Sequence, residues 1–189
     1  MQAQNAPGAV SPDAVFKRLV PLIANQLGKQ ASDISPESYL EDLGASSLDL
    51  VELTLDAEQE FGVLLAGRPL FDTAVLVVGP GILEDEGELT EAGRTLVARR
   101  FPHLTAAEVA EMTDISEVQR QISRVSVWTE TIATLTAMIP QRCSEAGGDV
   151  SVGADGIPSC SGAGADYRQP SLEEWNESWL TELRDSGAL

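Results

Sequence analysis

Apolar residues at Val15, Leu19, Leu22, Ile23 and Leu27 fall at a spacing that puts them on one face of a helix. Ser11-Pro12-Asp13 supplies its start: serine caps, proline suits the first turn, and aspartate complements the positive helix end. Gly28 supplies its stop. Pro21 lies inside the pattern, where its ring removes a hydrogen bond and crowds the preceding turn, so a kink is expected there. Residues 29–46 read as a loop punctuated by Ser35-Pro36 and Gly44. A second helix is predicted from about Ser47 to Phe61, closed by Gly62. At roughly 100° per residue, Leu48, Val51 and Leu55 share one side of it, while Asp49, Glu52, Asp56 and Glu60 share the opposite side.

Beyond Leu64 the pattern changes. The run Ala74-Val75-Leu76-Val77-Val78 reads as a short strand, followed by the Gly79-Pro80-Gly81 turn and an acidic loop from Glu84 to Glu88, so a small hairpin is expected near residues 73–84. Thr90 to Phe101 reads as a helix stopped by Pro102, and Thr105 to Met112 as a shorter one. Asp114 caps a longer helix carrying Ile115, Val118, Ile122, Val125 and Ile132 and stopping near Pro140. Residues 144–170, rich in Gly, Ser and Asp, read as disordered. Ser171-Leu172-Glu173-Glu174 has the form of a capping box opening a last helix, with Leu172, Trp175, Trp179 and Leu183 along one stripe, expected to dock back across the Gly-rich segment.

Charge narrows the function classes. The 189 residues hold 30 Asp and Glu against 12 Lys and Arg, a net charge of −18, while 43% hydrophobic content suffices for a core. Such a surface repels nucleic acid and anionic membrane and attracts partners with basic patches. Between Ser32 and Gly67 stand nine acids and no Lys or Arg. No apolar run approaches the length of a bilayer span, so no membrane insertion is expected. Residues 1–9 lack the basic start and apolar run of an export signal, and Cys143 and Cys160 do not make a disulfide framework; a reducing cytoplasm is the expectation, with an opportunistic disulfide the most the pair suggests. Catalysis has little support: His103 is the lone histidine, no Gly-x-Ser-x-Gly elbow is present, and no metal-ligand spacing occurs.

The segment from Ser38 through Gly44-Ala45-Ser46-Ser47-Leu48-Asp49 to Leu53, continued by Asp56-Ala-Glu-Gln-Glu-Phe-Gly62, resembles the attachment segment and following helix of acyl carrier proteins. Asn25-Gln-Leu-Gly28, Asp33-Ile-Ser-Pro36 and Asp114-Ile-Ser-Glu-Val-Gln-Arg-Gln-Ile122 fit the same pattern, so the likeness covers about residues 12–65 and 114–123. The resemblance implies a covalent 4'-phosphopantetheine arm, on the serine that directly precedes Leu-acid, which is Ser47 and not Ser46. A hydroxyl at a helix start lies in the positive end of the dipole, a field worth ~0.3–1 kcal/mol to a phosphodiester. It further implies a carrier rather than an enzyme, read by a phosphopantetheinyl transferase and by acyl synthases and transferases with basic patches. Asp49, Glu52 and Asp56 are the expected recognition acids, and Val51 and Leu55 the expected lining of an acyl pocket, with plain core packing the alternative for the last two.

Ser46 stands where most acyl carriers have Asp, and reads as a helix cap. The stretch from Phe61 to Asp114 is several times the family's connection; its apolar segments make it an inserted subdomain at about residues 65–113. The expected architecture is therefore all-α: an acyl-carrier-type four-helix bundle over residues 11–139 with that insertion and its short hairpin. A flexible N-terminus (1–10), a Gly/Ser-rich linker (140–170) and a C-terminal amphipathic helix (171–186) complete it. The expected function is holding acyl groups as thioesters for fatty-acid, specialised lipid or polyketide synthesis. The alternatives are a scaffold or regulatory module on the same fold without the arm, and a peptidyl carrier.

Overall fold

The computed structural model describes residues 9–139, 149–152, 158–161 and 169–189. Among these, eight α-helices follow in order: α1 (Pro12–Leu27), α2 (Ser47–Phe61), α3 (Leu70–Val78), α4 (Glu91–Arg100), α5 (Ala106–Glu111), α6 (Ile115–Ile122), α7 (Val125–Ala137) and α8 (Leu172–Asp185). Two antiparallel hairpins accompany them, β1 (Glu84–Asp85) with β2 (Glu88–Leu89) and β3 (Val150–Val152) with β4 (Pro158–Cys160). The molecule is thus mostly helical with two small hairpins, rather than all-α.

Helix α1 begins as its sequence dictates: Ser11 Oγ accepts the Ala14 N–H, Pro12 opens the first turn, and Gly28 closes the helix at φ 61°. It continues through Pro21, whose exposed position leaves the buried face of Val15, Leu19, Val20 and Ile23 uninterrupted. That face packs on α7 and α2, and Leu53, Phe61, Val63, Ile132 and Leu135 complete a first core. A second core forms within the insertion, from Leu70, Ala74, Leu83, Leu96, Val97 and Phe101, with Val118 of α6 and Leu180 of α8. Helix α8 lies along α3 and touches both cores, Trp175 against the first and Trp179 against the second.

Five expectations need correction. The apolar run at 74–78 is helical, not a strand: an α-helix starts after Pro69, Leu70, Phe71 and Ala74 turn inward, and Gly79 ends it. A short run of β-branched residues does not by itself distinguish strand from buried helix, and packing against α8 decides. The hairpin accordingly falls at 84–89, where Glu86 and Gly87 both take positive φ (52° and 89°), as a two-residue turn between twisted strands demands. The single helix expected after Asp114 is two, broken at Ser123-Arg124. Finally, Ser171 precedes α8 without a side-chain capping bond, and part of the expected linker pairs as β3–β4, with Val150 buried beside Ile139. Cys160 is disulfide-bonded. The expected flexible N-terminus to residue 8, most of the linker and Cys143 lie outside the described residues.

Gly93 is the tightest point of the insertion: a Cβ there would stand 2.0 Å from the Leu83 carbonyl oxygen, a backbone atom with nowhere to go. Helix propensity alone favours alanine by about 1 kcal/mol. We expect Gly93→Ala to reverse that sign and destabilise by about 1–3 kcal/mol in urea unfolding, as overpacking does; a stabilised variant would contradict the close approach of α4 to this turn.

Candidate functional site

The loop between α1 and α2 is held by backbone. Leu40 N–H donates to the Ser123 carbonyl (3.0 Å), Val125 N–H to Ser38 (2.9 Å) and Ser126 N–H to Pro36 (2.9 Å). These bonds use groups that a continuous helix would have consumed, which is why α6 and α7 separate there. Leu40 is fully buried in the first core. Above it, Tyr39 gives its hydroxyl to Gln121 Oε1 (3.1 Å) and lies under Arg120 (4.8 Å to the ring centroid), while Arg120 pairs with Asp42 at 2.9 Å.

The anchored loop delivers Ser46 and Ser47, and the two hydroxyls have different fates. Ser46 is the N-cap: its N–H and Oγ–H both donate to Asp49 Oδ2 (2.7 and 2.6 Å), and its Oγ accepts the Asp49 N–H (3.3 Å). Ser47 is the first helical residue, exposed, and its Oγ makes no hydrogen bond among the described residues. The Asp49 carboxyl is held below the usual range, first by the Ser46 hydroxyl, then by the Ser46 N–H, then by Gln26 Nε2.

The acids of α2 divide by task. Asp49 belongs to the cap, and Glu52 Oε2 accepts from Gln26 Nε2 (2.5 Å). Glu58 Oε1 accepts the Leu65 and Ala66 N–H groups (2.7 Å each), fixing the chain's exit, and Glu60 pairs with Arg18 at 2.7 Å. Asp56 is exposed and without a side-chain partner among the described residues. Val51 and Leu55 are 56% and 57% exposed, and Leu48 is 65% exposed. They stand outside both cores and outside the cavity described below; the inward face is Leu53, Ala57 and Phe61, with Leu50 partly buried. Helix α2 carries two adjacent apolar stripes, and periodicity alone does not say which turns inward.

A cavity of about 410 Å³ lies instead between α2 and the added elements. Thr54, Leu65, Leu70, Phe101, Trp128, Ile132 and Leu172 line it, together with Arg68, Arg100, Thr131 and Asn176. Thr54 stands seven residues beyond Ser47, on nearly the same line of the helix surface and about 10 Å along its axis. Arg100 donates to Thr131 Oγ1 (3.0 Å), and burial pulls its guanidinium down to about 10, with Glu130 opposing. None of these polar residues was singled out from the sequence. A signal existed for Asn176, a polar residue four positions from both Leu172 and Leu180 on the inward stripe of α8.

A helical module whose second helix opens on an exposed serine is the geometry a carrier needs, and comparison with known proteins gives the class and the family. The phosphopantetheine attachment site family matches residues 17–76. The acyl carrier protein of Nitratidesulfovibrio vulgaris strain DP4 is 49% identical over 51 residues, covering 26% of this chain and 67% of that protein; the one from strain Miyazaki F is 47% identical over 51 residues. No solved structure matches. The chain belongs to the acyl carrier protein family. Its members are carriers, not enzymes; the cofactor is covalent 4'-phosphopantetheine, and the general partners are phosphopantetheinyl transferases and synthases. The free hydroxyl of Ser47 on the helix dipole's positive end fits a phosphodiester. Among the described residues no helix is long and apolar enough to cross a membrane.

Two expectations follow for the cap. Ser46→Ala should cost about 1 kcal/mol in urea unfolding. Because the folded pKa of Asp49 is depressed, its contribution is complete above the unfolded carboxyl value and is lost as pH falls through the folded one. The stability difference between wild type and Asp49→Asn should therefore shrink below about pH 4; a difference unchanged from pH 7 to pH 3 would show that the carboxylate does not hold the cap.

Proposed function

We propose that Ser47 Oγ is the tether of the arm, and that the chain holds acyl groups as thioesters and passes them between separate enzymes of fatty-acid, specialised lipid or polyketide-type synthesis. One observation carries this: of two adjacent serines inside the matched family segment, Ser46 spends its hydroxyl on the cap while Ser47 presents a free one to solvent. Helices α1, α2, α6 and α7 are the carrier bundle in this reading, and the cytoplasmic setting expected from the sequence remains part of it.

Partner recognition falls to the outer surface of α2. Asp56 and Glu52 offer charge to basic patches, and Leu48, Val51 and Leu55 offer apolar contact beside it. Asp49 contributes mainly through the cap. The acyl chain goes to the cavity beneath Thr54 rather than to Val51 and Leu55, gaining ~0.8 kcal/mol for each methylene buried. A short chain is thereby sheltered but still extractable by a partner enzyme.

Intact-mass spectrometry after co-expression with a broad-specificity phosphopantetheinyl transferase tests the tether. One phosphopantetheine adduct is expected on wild type and on Ser46→Ala, and none on Ser47→Ala; an unmodified wild type under several transferases would favour the armless scaffold. In the same assay Asp56→Lys together with Val51→Lys should slow loading about tenfold while leaving the thermal midpoint unchanged, since both side chains are exposed. Undiminished loading would move recognition elsewhere.

A further inference from the structure

The cavity is lined by both apolar and polar side chains. Arg68, on its rim, is committed to Glu173 and Glu177 at 3.4 and 3.8 Å. Arg100 is not: among the described residues it forms no ion pair, and Thr131 Oγ1 is its hydrogen-bond acceptor. One face of its guanidinium lies against Trp175, 4.6 Å from the ring centroid, which leaves the N–H edges of the fork for another group. Asn176, 3% exposed and also lining the cavity, makes no side-chain hydrogen bond among the described residues, and its Oδ1 is shut off from solvent. A buried amide oxygen without a donor and a partly desolvated cation with no ion-pair partner within reach among the described residues are each costly. The cation's cost falls if an occupant brings an anion, to which the Asn176 Nδ2 group can also donate.

We propose that the cavity selects an acyl chain ending in a carboxylate, with the terminal oxygens held by the fork of Arg100 and by the Asn176 amide. The inference rests on Ser47 being the tether, and it deepens that reading by naming the acyl class. The planar fork meets a carboxylate through two parallel N–H···O bonds, and the Trp175 ring fixes the plane in which they form. Arg100 and Asn176 come from the insertion and from α8, the parts that the carrier segment lacks, so the extra chain acquires a role in choosing cargo.

The test loads the full-length protein enzymatically with an octanoyl or a 7-carboxyheptanoyl arm, confirms each by intact mass, and follows thioester cleavage by hydroxylamine. The carboxylate-ended arm should be cleaved about tenfold more slowly than the octanoyl arm, and Arg100→Met should bring the two rates together. Equal rates in wild type, or a difference that survives in the variant, would overturn the proposal. A second measurement needs no variant: a terminal carboxyl labelled with carbon-13 should titrate below its free value when attached to wild type, and an unshifted titration counts against the site. Should no adduct form, the tether fails rather than the cavity. Free suberate is then titrated against tryptophan fluorescence, where suberate binding tighter than octanoate supports the site and no preference refutes it.

Discussion

The reciprocal bond between Ser46 and Asp49 is the constraint on which the site depends. It fixes where α2 begins, and a helix start is a place where chemistry differs from one residue to the next. One position earlier the hydroxyl is absorbed into backbone capping; at Ser47 it faces water with the dipole behind it. The same bond draws Asp49 out of the free acidic surface, so the charge next to Ser47 is structural before it is anything else. Ser46 thus supplies the cap without adding a charge beside Ser47.

Around that start the rest of the chain is arranged in two tiers. The backbone bonds from 36–40 to 123–126 hold the approach loop against α7, and Leu40 seals it from below. At the far end of α2, Glu58 collects the Leu65 and Ala66 N–H groups and turns the chain toward the insertion. The insertion then builds its own core and shares it with α8, through Leu180. The seam between the tiers is where the cavity lies, and the insertion and α8 contribute Arg68, Arg100 and Asn176 to its polar lining.

Much of this is legible in the residues. The limits of α1 and α2 follow from Ser11-Pro12 with Gly28 and from Ser46 with Gly62, because caps are local and depend on few neighbours. Helix α3 is not legible locally, because Ala74–Val78 is equally good as strand or buried helix until α8, far along the chain, covers it. The break at Ser123-Arg124 was hidden for the same reason: the groups that interrupt the helix belong to residues 36–40. On α2 the sequence shows two apolar stripes, Leu48/Val51/Leu55 and Leu50/Leu53/Ala57/Phe61, and only the position of α1 and α7 tells which is inside. The polar lining of the cavity is beyond sequence reading, since Arg100 and Asn176 come to line one cavity only in the folded chain.

The division of labour between the two serines is settled most directly by fragmentation mass spectrometry of the attachment peptide from the native, modified protein. Fragment ions that cleave the Ser46–Ser47 bond should carry the phosphopantetheine mass wholly on the Ser47 side. Modification on Ser46, or a mixture of the two, would mean that the cap does not direct attachment.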